Sequence, residues 1–356
     1  MKIKSHLKVY DVTFINDLNC ISEYVKEGNT FFVIGHNVYR IYNEHFSSIP
    51  QDRLSIIEAL EVNKSIETAL NLCEKITNMS SKRNTHLISI GGGITQDITG
   101  FVANVLYRGI YWTFFPSTLL AACDSCIGGK TSLNYKGFKN LLGTFYPPDH
   151  IKIYTKFFNT LEDKDYYSGL GEVVKFNVML GLQGIDEIES NLQKLIHRES
   201  TTISKFVKSS LAFKKDFIEE DEFDKGKRVL LNFAHTFGHA FEVSSLYSIP
   251  HGTAVALGMV VANRISVFRG ILDEKVAVRI EDVCKKIIPN YVNKNFFDLE
   301  IILSAIRKDK KQINASFRAV LMKKNFSLEV FNDLTELEIK SAINFLREIF
   351  LREGGF

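Results

Sequence analysis

Apolar residues in the first third of the chain fall in short continuous runs separated by stretches with helical spacing. FFVIGH (31–36) reads as a buried strand, and SIETALNLCEKITNM (65–79) spaces its apolar residues three and four apart, as one face of a helix. HLISI (86–90) is a second strand and runs directly into Gly91-Gly92-Gly93. ITGFVANVLY (98–107) reads as a helix, and YWTFFPST (111–118) as a strand entering a loop. This strand–helix–strand alternation predicts a parallel sheet with helices on its faces.

The pattern changes near residue 160. KDYYSGLGEVVKFNVML (164–180), the segment 186–217, LLNFAHTFGHAFEVSS (230–245) and HGTAVALGMVVANRISVF (251–268) carry helical periodicity with few strand signals. LEIILSAIRKD (299–309) and LTELEIKSAINFLREIF (334–350) continue it, and FRAVLM (317–322) with FSLEVF (326–331) reads as a pair of short strands. The expected fold is α/β in two domains: an N-terminal Rossmann-like parallel-sheet domain over 1–155, then a mostly helical domain over 156–356. Tyr146-Pro147-Pro148 precedes the boundary.

Composition narrows the class without choosing a function. A chain of 356 residues, 45% hydrophobic and 24% charged, has the make-up of a soluble globular protein. A formal charge of +3 gives no general affinity for nucleic acid or membrane, so its cations must be read locally. Five cysteines without framework spacing point to a reducing cytoplasm. Polar residues interrupt what would be the apolar core of a signal peptide in MKIKSHLKVYDVTFI, and no run approaches a membrane span.

Four stretches suggest chemistry. CDSCIGGKTSLN (123–134) overlaps a C-x-x-C with a G-G-K-T. A phosphate-binding P-loop would need glycine where Asp124 stands, and a zinc knuckle would need a second ligand pair that Cys20, Cys73 and Cys284 do not form. A redox pair Cys123/Cys126 stays open from these residues alone. HLISIGGGITQD places glycines between a strand and a helix, where backbone amides approach a pyrophosphate, although it is not G-x-G-x-x-G. Asp97, at the helix start, suits a cap or a cofactor hydroxyl.

NFAHTFGHAFE sets His235 and His239 four apart on one helical face, with His251 at a later Pro-His-Gly turn. GLGEVVK adds Glu172 and Lys175 in an apolar context, so two imidazoles and a carboxylate offer an open zinc site. Finally, Arg108, Lys130, Lys139, Lys175, Lys214, Arg228 and KDKK (308–311) supply cations that suit a small substrate with several anionic groups.

Together GGGITQD, YRG, FPSTLLAACDSCIGGKTSLN, KNLLGTFYPP, SGLGEVVK, RVLLNFAHTFGHAFE and HGTAVALGM resemble the 3-dehydroquinate synthase family of sugar-phosphate cyclases, in order, from about residue 30 to about 320. The resemblance implies an NAD-binding domain and a metal domain with the active site between them. It implies Glu172, His235 and His251 as ligands of Zn²⁺ or Co²⁺, with His239 in substrate contact and proton transfer. Glu61, Lys64, Gly92, Gly93, Asp97, Ser117, Thr118, Lys139 and Thr160 fall on NAD positions. Asp124, Lys130, Asn140, Lys175, Lys214, Arg228, Asn232 and Lys311 fall on substrate positions. Arg108 matches an arginine that reaches a neighbouring subunit's site, which implies a homodimer. In this light the cysteines of the C-x-x-C merely flank the loop.

The implied reaction converts 3-deoxy-arabino-heptulosonate 7-phosphate to 3-dehydroquinate and phosphate by transient oxidation, phosphate elimination, re-reduction and aldol closure. The sequence departs from the family at Leu60, Gln96, Ser132 and Ala234, where glycine is usual, and at Tyr135. Related cyclases take sedoheptulose 7-phosphate or glucose 6-phosphate, which lack a carboxylate. Arg228, Lys214 and Lys311 stand at the carboxylate-holding positions and favour the heptulosonate. A metal-dependent polyol dehydrogenase would not need so many anion-holding residues, and a silent binding protein would have lost some of them.

Overall fold

The computed structural model describes residues 1–292, 294–308 and 317–352, so Lys310 and Lys311 lie outside the described residues. The chain forms two compact units: Met1–Leu161 with Lys215–Phe223, and Glu162–Lys214 with Asp224–Phe356. The change of unit thus comes after Leu161 rather than at 155, and a later segment returns to the first unit.

The first unit contains β1 (Lys2–Lys4), β2 (Val9–Phe14), α1 (Cys20–Glu27), β3 (Thr30–Gly35), α2 (His36–Ile41), α3 (Asn43–Phe46) and β4 (Leu54–Ile57). It continues with α4 (Ile66–Thr77), β5 (His86–Gly91), α5 (Gly93–Val105), β6 (Tyr111–Pro116), β7 (Lys130–Tyr135), β8 (Phe138–Phe145) and β9 (His150–Ile153). Seven strands form one sheet in the order β1-β2-β9-β6-β5-β3-β4, parallel except for β1 against β2. Phe31, Phe32, Leu87, Ile88, Phe114 and Phe115 are buried on the central strands. Parallel strands covered on both faces need such unbroken apolar runs.

Strand order reverses beside β3: the chain steps outward to β4, then returns past β3 to β5 and on to β6. Ligands of open α/β sheets sit at the carboxyl ends of strands at such a reversal. Helix α5 starts at Gly93, five residues before the apolar pattern begins, because its first turns bury the polar Thr95 and Gln96 instead. β7 and β8 form a separate antiparallel hairpin, closed at Lys136 (φ 47°) and Gly137 (φ 80°). Positive φ at both central residues is the mark of a type I′ turn.

The second unit contains α6 (Asp163–Met179), α7 (Leu182–Ile196), α8 (Ser200–Glu220), α9 (His235–Ser244), α10 (His251–Phe268), α11 (Glu274–Ile287) and α12 (Leu299–Lys308). The antiparallel pair β10 (Phe317–Met322) and β11 (Leu328–Leu334) and the helix α13 (Glu336–Arg352) complete it. The end of α8 belongs to the first unit, where the Lys4 amide donates to Glu219 (2.7 Å) and the His6 amide to Glu222 (2.6 Å). α10 is apolar on nearly every face because α6, α9, α11 and α13 pack around it. It is long and apolar enough to cross a membrane by composition, and here it is the buried core helix of its unit.

Candidate functional site

In the first unit Gly92, Gly93, Ser117 and Thr118, four of the expected cofactor residues, follow the carboxyl ends of β5 and β6. Gly92 caps α5 without a side-chain hydrogen bond, so the first amides of this 13-residue helix remain donors for an anion. Ser117, just after β6, donates its amide to the Gly91 carbonyl (2.8 Å), and a Cβ on Gly92 would meet Thr118 Cγ2 at 3.0 Å. A bare backbone between these groups fits the close approach of a pyrophosphate.

Beside it lies a polar network. Lys64 Nζ stands 2.5 Å from Asp97 Oδ2 and 2.7 Å from Asn140 Oδ1. Ser132 donates its amide to Asp97 Oδ1 (3.0 Å), and its hydroxyl lies 3.1 Å from Asp97 Oδ2 and 2.8 Å from Asn140 Oδ1. Asn134 donates to the Glu61 carboxylate (2.8 Å) and accepts from the Asn140 amide (2.9 Å), so Glu61, Lys64, Asp97 and Asn140 share one assembly. Burial pushes the Asp97 carboxyl up, against the pull of Lys64.

Asp124 sits in a π-helical turn, Ala121–Ser125. The Gln96 amide donates to the Ser125 carbonyl (2.6 Å) and accepts from the Ser125 hydroxyl (2.7 Å), tying this turn to α5. Cys123 and Cys126 are buried thiols that donate to the carbonyls of Leu120 and Ala122. Lys130 opens β7, and Lys139 is exposed beside Asn140 on β8. Arg108 is exposed at the end of a 3₁₀ turn, whereas the Thr160 hydroxyl is engaged with Tyr42 and the Phe157 carbonyl.

The second unit holds the metal candidates. Glu172, on α6, is fully buried, and Oε1 lies 3.5 Å from His235 Nε2 and 3.4 Å from His251 Nε2. Tetrahedral bonds of 2.0–2.1 Å would put ligand atoms about 3.3 Å apart, so these spacings suit a Zn²⁺-sized ion. Lys175 Nζ is 2.6 Å from Oε2, yet neither carboxylate oxygen has a hydrogen bond of acceptable geometry. Oε1, which faces the two imidazole nitrogens and not Lys175, is the oxygen that fits a bound metal cation. Burial, then Lys175, hold His235 well below its usual pKa, in the neutral form a ligand needs. Although burial opposes it, Lys175 and His251 keep Glu172 ionised.

Two glycines bring these groups together. α6 and α10 cross where Gly171 and Gly252 meet, and a Cβ on either would overlap a backbone carbonyl of the other helix. Glu172 and His251 are the next residues along, so the close crossing sets the carboxylate against the imidazole. His235 starts α9 after Ala234, whose φ of 70° lies in the left-handed region that favours glycine. Nearby, Lys175 donates to the Leu231 carbonyl (3.2 Å), Asn232 to Val229 (3.0 Å), and Lys214 and Arg228 are buried. His239 joins the cluster, its ring 5.5 Å from that of His235 and 5.9 Å from that of His251.

Sequence reasoning missed Glu242. It ends the NFAHTFGHAFE motif, on the same helix as both histidines, and that placement was the available signal. Glu242 Oε2 lies 3.3 Å from His251 Nδ1, and His239, Glu242 and His251 form a second close set of ligand atoms, within 4.8 Å of one another. One imidazole serves a metal with one nitrogen and a partner with the other. Since His251 Nε2 faces Glu172 Oε1, Glu242 is the partner that orients it, as the Phe233 carbonyl does for His235 Nδ1 (3.0 Å).

The family model described as 3-dehydroquinate synthase N-terminal matches residues 54–168, and that described as 3-dehydroquinate synthase C-terminal matches 169–312. The 3-dehydroquinate synthase of Clostridium tetani is 36% identical over 343 residues, covering 94% of this chain and 91% of that protein. That of Dictyoglomus thermophilum is 34% identical over 314 residues, covering 88% of each. Among solved structures, 2-deoxy-scyllo-inosose synthase complexed with carbaglucose-6-phosphate, NAD⁺ and Co²⁺ superposes with a TM-score of 0.85 at 22% identity, over 96% of this chain and 98% of that one. The 2-epi-5-epi-valiolone synthase of Streptomyces hygroscopicus subsp. jinggangensis, with NAD⁺ and Zn²⁺ bound, gives 0.83 at 23%, over 96% and 97%. These two structures share the fold, and the matches in sequence carry the assignment: the chain belongs to the 3-dehydroquinate synthase family.

Proposed function

We propose that this protein is a 3-dehydroquinate synthase, an NAD- and metal-dependent lyase that converts 3-deoxy-arabino-heptulosonate 7-phosphate to 3-dehydroquinate and phosphate. The observation that carries the reading is the fully buried Glu172 carboxylate, whose Oε2 meets Lys175 and whose Oε1 faces two imidazoles at metal-ligand spacing. Relatives of about the same length bearing that name, at 34–36% identity, support the substrate. NAD, when bound, supplies a reversible hydride acceptor, and a divalent ion held by Glu172, His235 and His251 supplies a Lewis acid for the substrate's oxygen.

The chain's own residues then hold and move the rest. Lys130 and Asn140 hold the phosphate end, while Lys214, Arg228 and Lys311 hold the carboxylate so that successive steps share one geometry. Asp124, Lys175 and Asn232 fix the hydroxyl groups of the substrate. His239 carries the proton displaced as phosphate leaves. Arg108 completes the phosphate site of a second copy in a homodimer, a part its exposure allows. The hydride removed early is returned later, so no net NADH accumulates.

Chelation followed by metal add-back tests this site. Metal-stripped protein is expected to lose turnover at least 100-fold and to regain it with Zn²⁺ or Co²⁺, while Glu172→Gln regains nothing and binds no stoichiometric metal. Full activity in stripped protein would remove Glu172, His235 and His251 from the chemistry.

A further inference from the structure

We propose that Ser132 and Lys64 together fix the Asn140 side-chain amide with its oxygen inward, so that its NH₂ group is the face offered to an accepting oxygen of the sugar phosphate. The inference rests on the reading of Asn140 as a substrate-holding residue and adds which end of the amide does the holding, and why.

An ammonium group has donors only. Lys64 Nζ at 2.7 Å therefore requires the oxygen, not the nitrogen, of Asn140 to face it. Ser132 Oγ reaches the same oxygen at 2.8 Å, while the Ser132 amide is pinned to Asp97. The backbone of Asn140 is held as well: its amide donates to Asn134 (2.9 Å), and its φ of 53° is left-handed. Lys64 holds Oδ1, the single Ser132 hydroxyl proton is shared between Oδ1 at 2.8 Å and Asp97 Oδ2 at 3.1 Å, and the main chain is anchored, so turning the amide over would set its NH₂ against the Lys64 ammonium. Among the described residues no acceptor takes the Asn140 NH₂ protons, and the residue is exposed. Ser132 is one of the positions where this chain departs from the family's usual glycine, and glycine has no hydroxyl to place there. Ser132 is thus a positioning residue, and Asn140 is the one that touches substrate.

The test separates KM from kcat and reads NAD binding independently. Ser132→Ala is expected to raise KM for the heptulosonate phosphate about fivefold, the worth of one net hydrogen bond. The kcat stays within about twofold, because the contact is equal in ground and transition states, and the NAD Kd is read separately because Ser132 Oγ also lies 3.1 Å from Asp97. Ser132→Thr, which keeps a hydroxyl, restores KM. Asn140→Asp keeps the oxygen facing Lys64 and Ser132 but replaces the donor with a second oxygen, so KM rises at least 100-fold with NAD affinity retained. Near-normal KM in Asn140→Asp, or an unchanged KM in a folded Ser132→Ala protein, would overturn the proposal. If Ser132→Ala melts early, Asn140→Asp decides alone. Should the wild type fail to turn over the heptulosonate, the functional reading falls first. Inorganic phosphate binding by calorimetry, wild type against Asn140→Asp, then reads the amide directly, with weaker binding in the variant expected and equal binding fatal.

Discussion

Ala234 carries a side chain in a left-handed conformation at the residue before His235. That conformation costs an L-residue with a Cβ roughly 1–2 kcal/mol. Part of that cost returns with glycine, which loses more freedom on folding. Ala234→Gly is therefore expected to raise the melting temperature by about 1–3 °C without weakening metal binding. A lower melting temperature would mean that the Ala234 methyl packs more favourably than its backbone suggests. The same residue marks what single positions disclose: the sequence suggested a departure, and its meaning, backbone strain beside a proposed metal ligand, needed the dihedral angle. The histidines behave alike. Their four-residue spacing placed His235 and His239 on one face, but spacing left open which imidazoles bind metal. The resemblance chose His235 and His251, and the approach of both Nε2 atoms to the buried Glu172 Oε1 supplies a physical reason for that choice. Glu242 shared a helix with both histidines, a signal too weak to single it out until its distance to His251 was known.

Among the elements, the crossing of α6 and α10 ties stability to the site. Gly252→Ala would drive a methyl into the Ser168 carbonyl on α6, which a close-packed interior cannot absorb without shifting the helices. The expected cost is about 3 kcal/mol, or roughly 6–12 °C in melting temperature, and metal affinity falls with it because Glu172 and His251 move apart. Unchanged melting and metal affinity would show that the crossing tolerates more room than its glycines indicate. Elements with strong apolar periodicity were legible: α10 spans the residues its pattern gives, and β3, β5 and β6 stand where continuous apolar runs place them. The hairpin β7–β8 was not, because its turn uses Lys136-Gly137 rather than Asn-Gly and its residues are largely exposed. β2 mixes apolar residues with Asp11 and Thr13, and β9 is four residues long, so neither produced a pattern long enough to read.

At the scale of the whole molecule, a buried histidine links stability to pH. His86, at the start of β5, lies 2.9 Å from Thr113 Oγ1 and edge-on to Tyr24 and Tyr111. Burial, with the nearby His150 and Lys152, pushes its pKa down to about 4. The unfolded chain, with a histidine pKa near 6.5, binds more protons between these values. The contribution of neutral His86 is thus complete above about pH 6.5 and is lost as pH falls toward 4, on the order of 2–3 kcal/mol. Denaturant unfolding between pH 4 and 7 is expected to show stability rising with pH, with a shallower slope in His86→Gln; equal slopes would remove His86 as the source. The division into a sheet unit and a helical unit was readable from the change in periodicity. The return of Lys215–Phe223 to the first unit was not, since helix α8 gives no break in pattern where its allegiance changes.

Phosphate release by purified protein with catalytic NAD⁺ and Zn²⁺, offered 3-deoxy-arabino-heptulosonate 7-phosphate and sedoheptulose 7-phosphate in parallel, tests the proposed activity most directly. Release from the heptulosonate alone, with a carbocyclic product and no net NADH, is the predicted result. Release from sedoheptulose 7-phosphate instead, or steady NADH production, would contradict the proposed activity and assign the site a different substrate or a simple dehydrogenation.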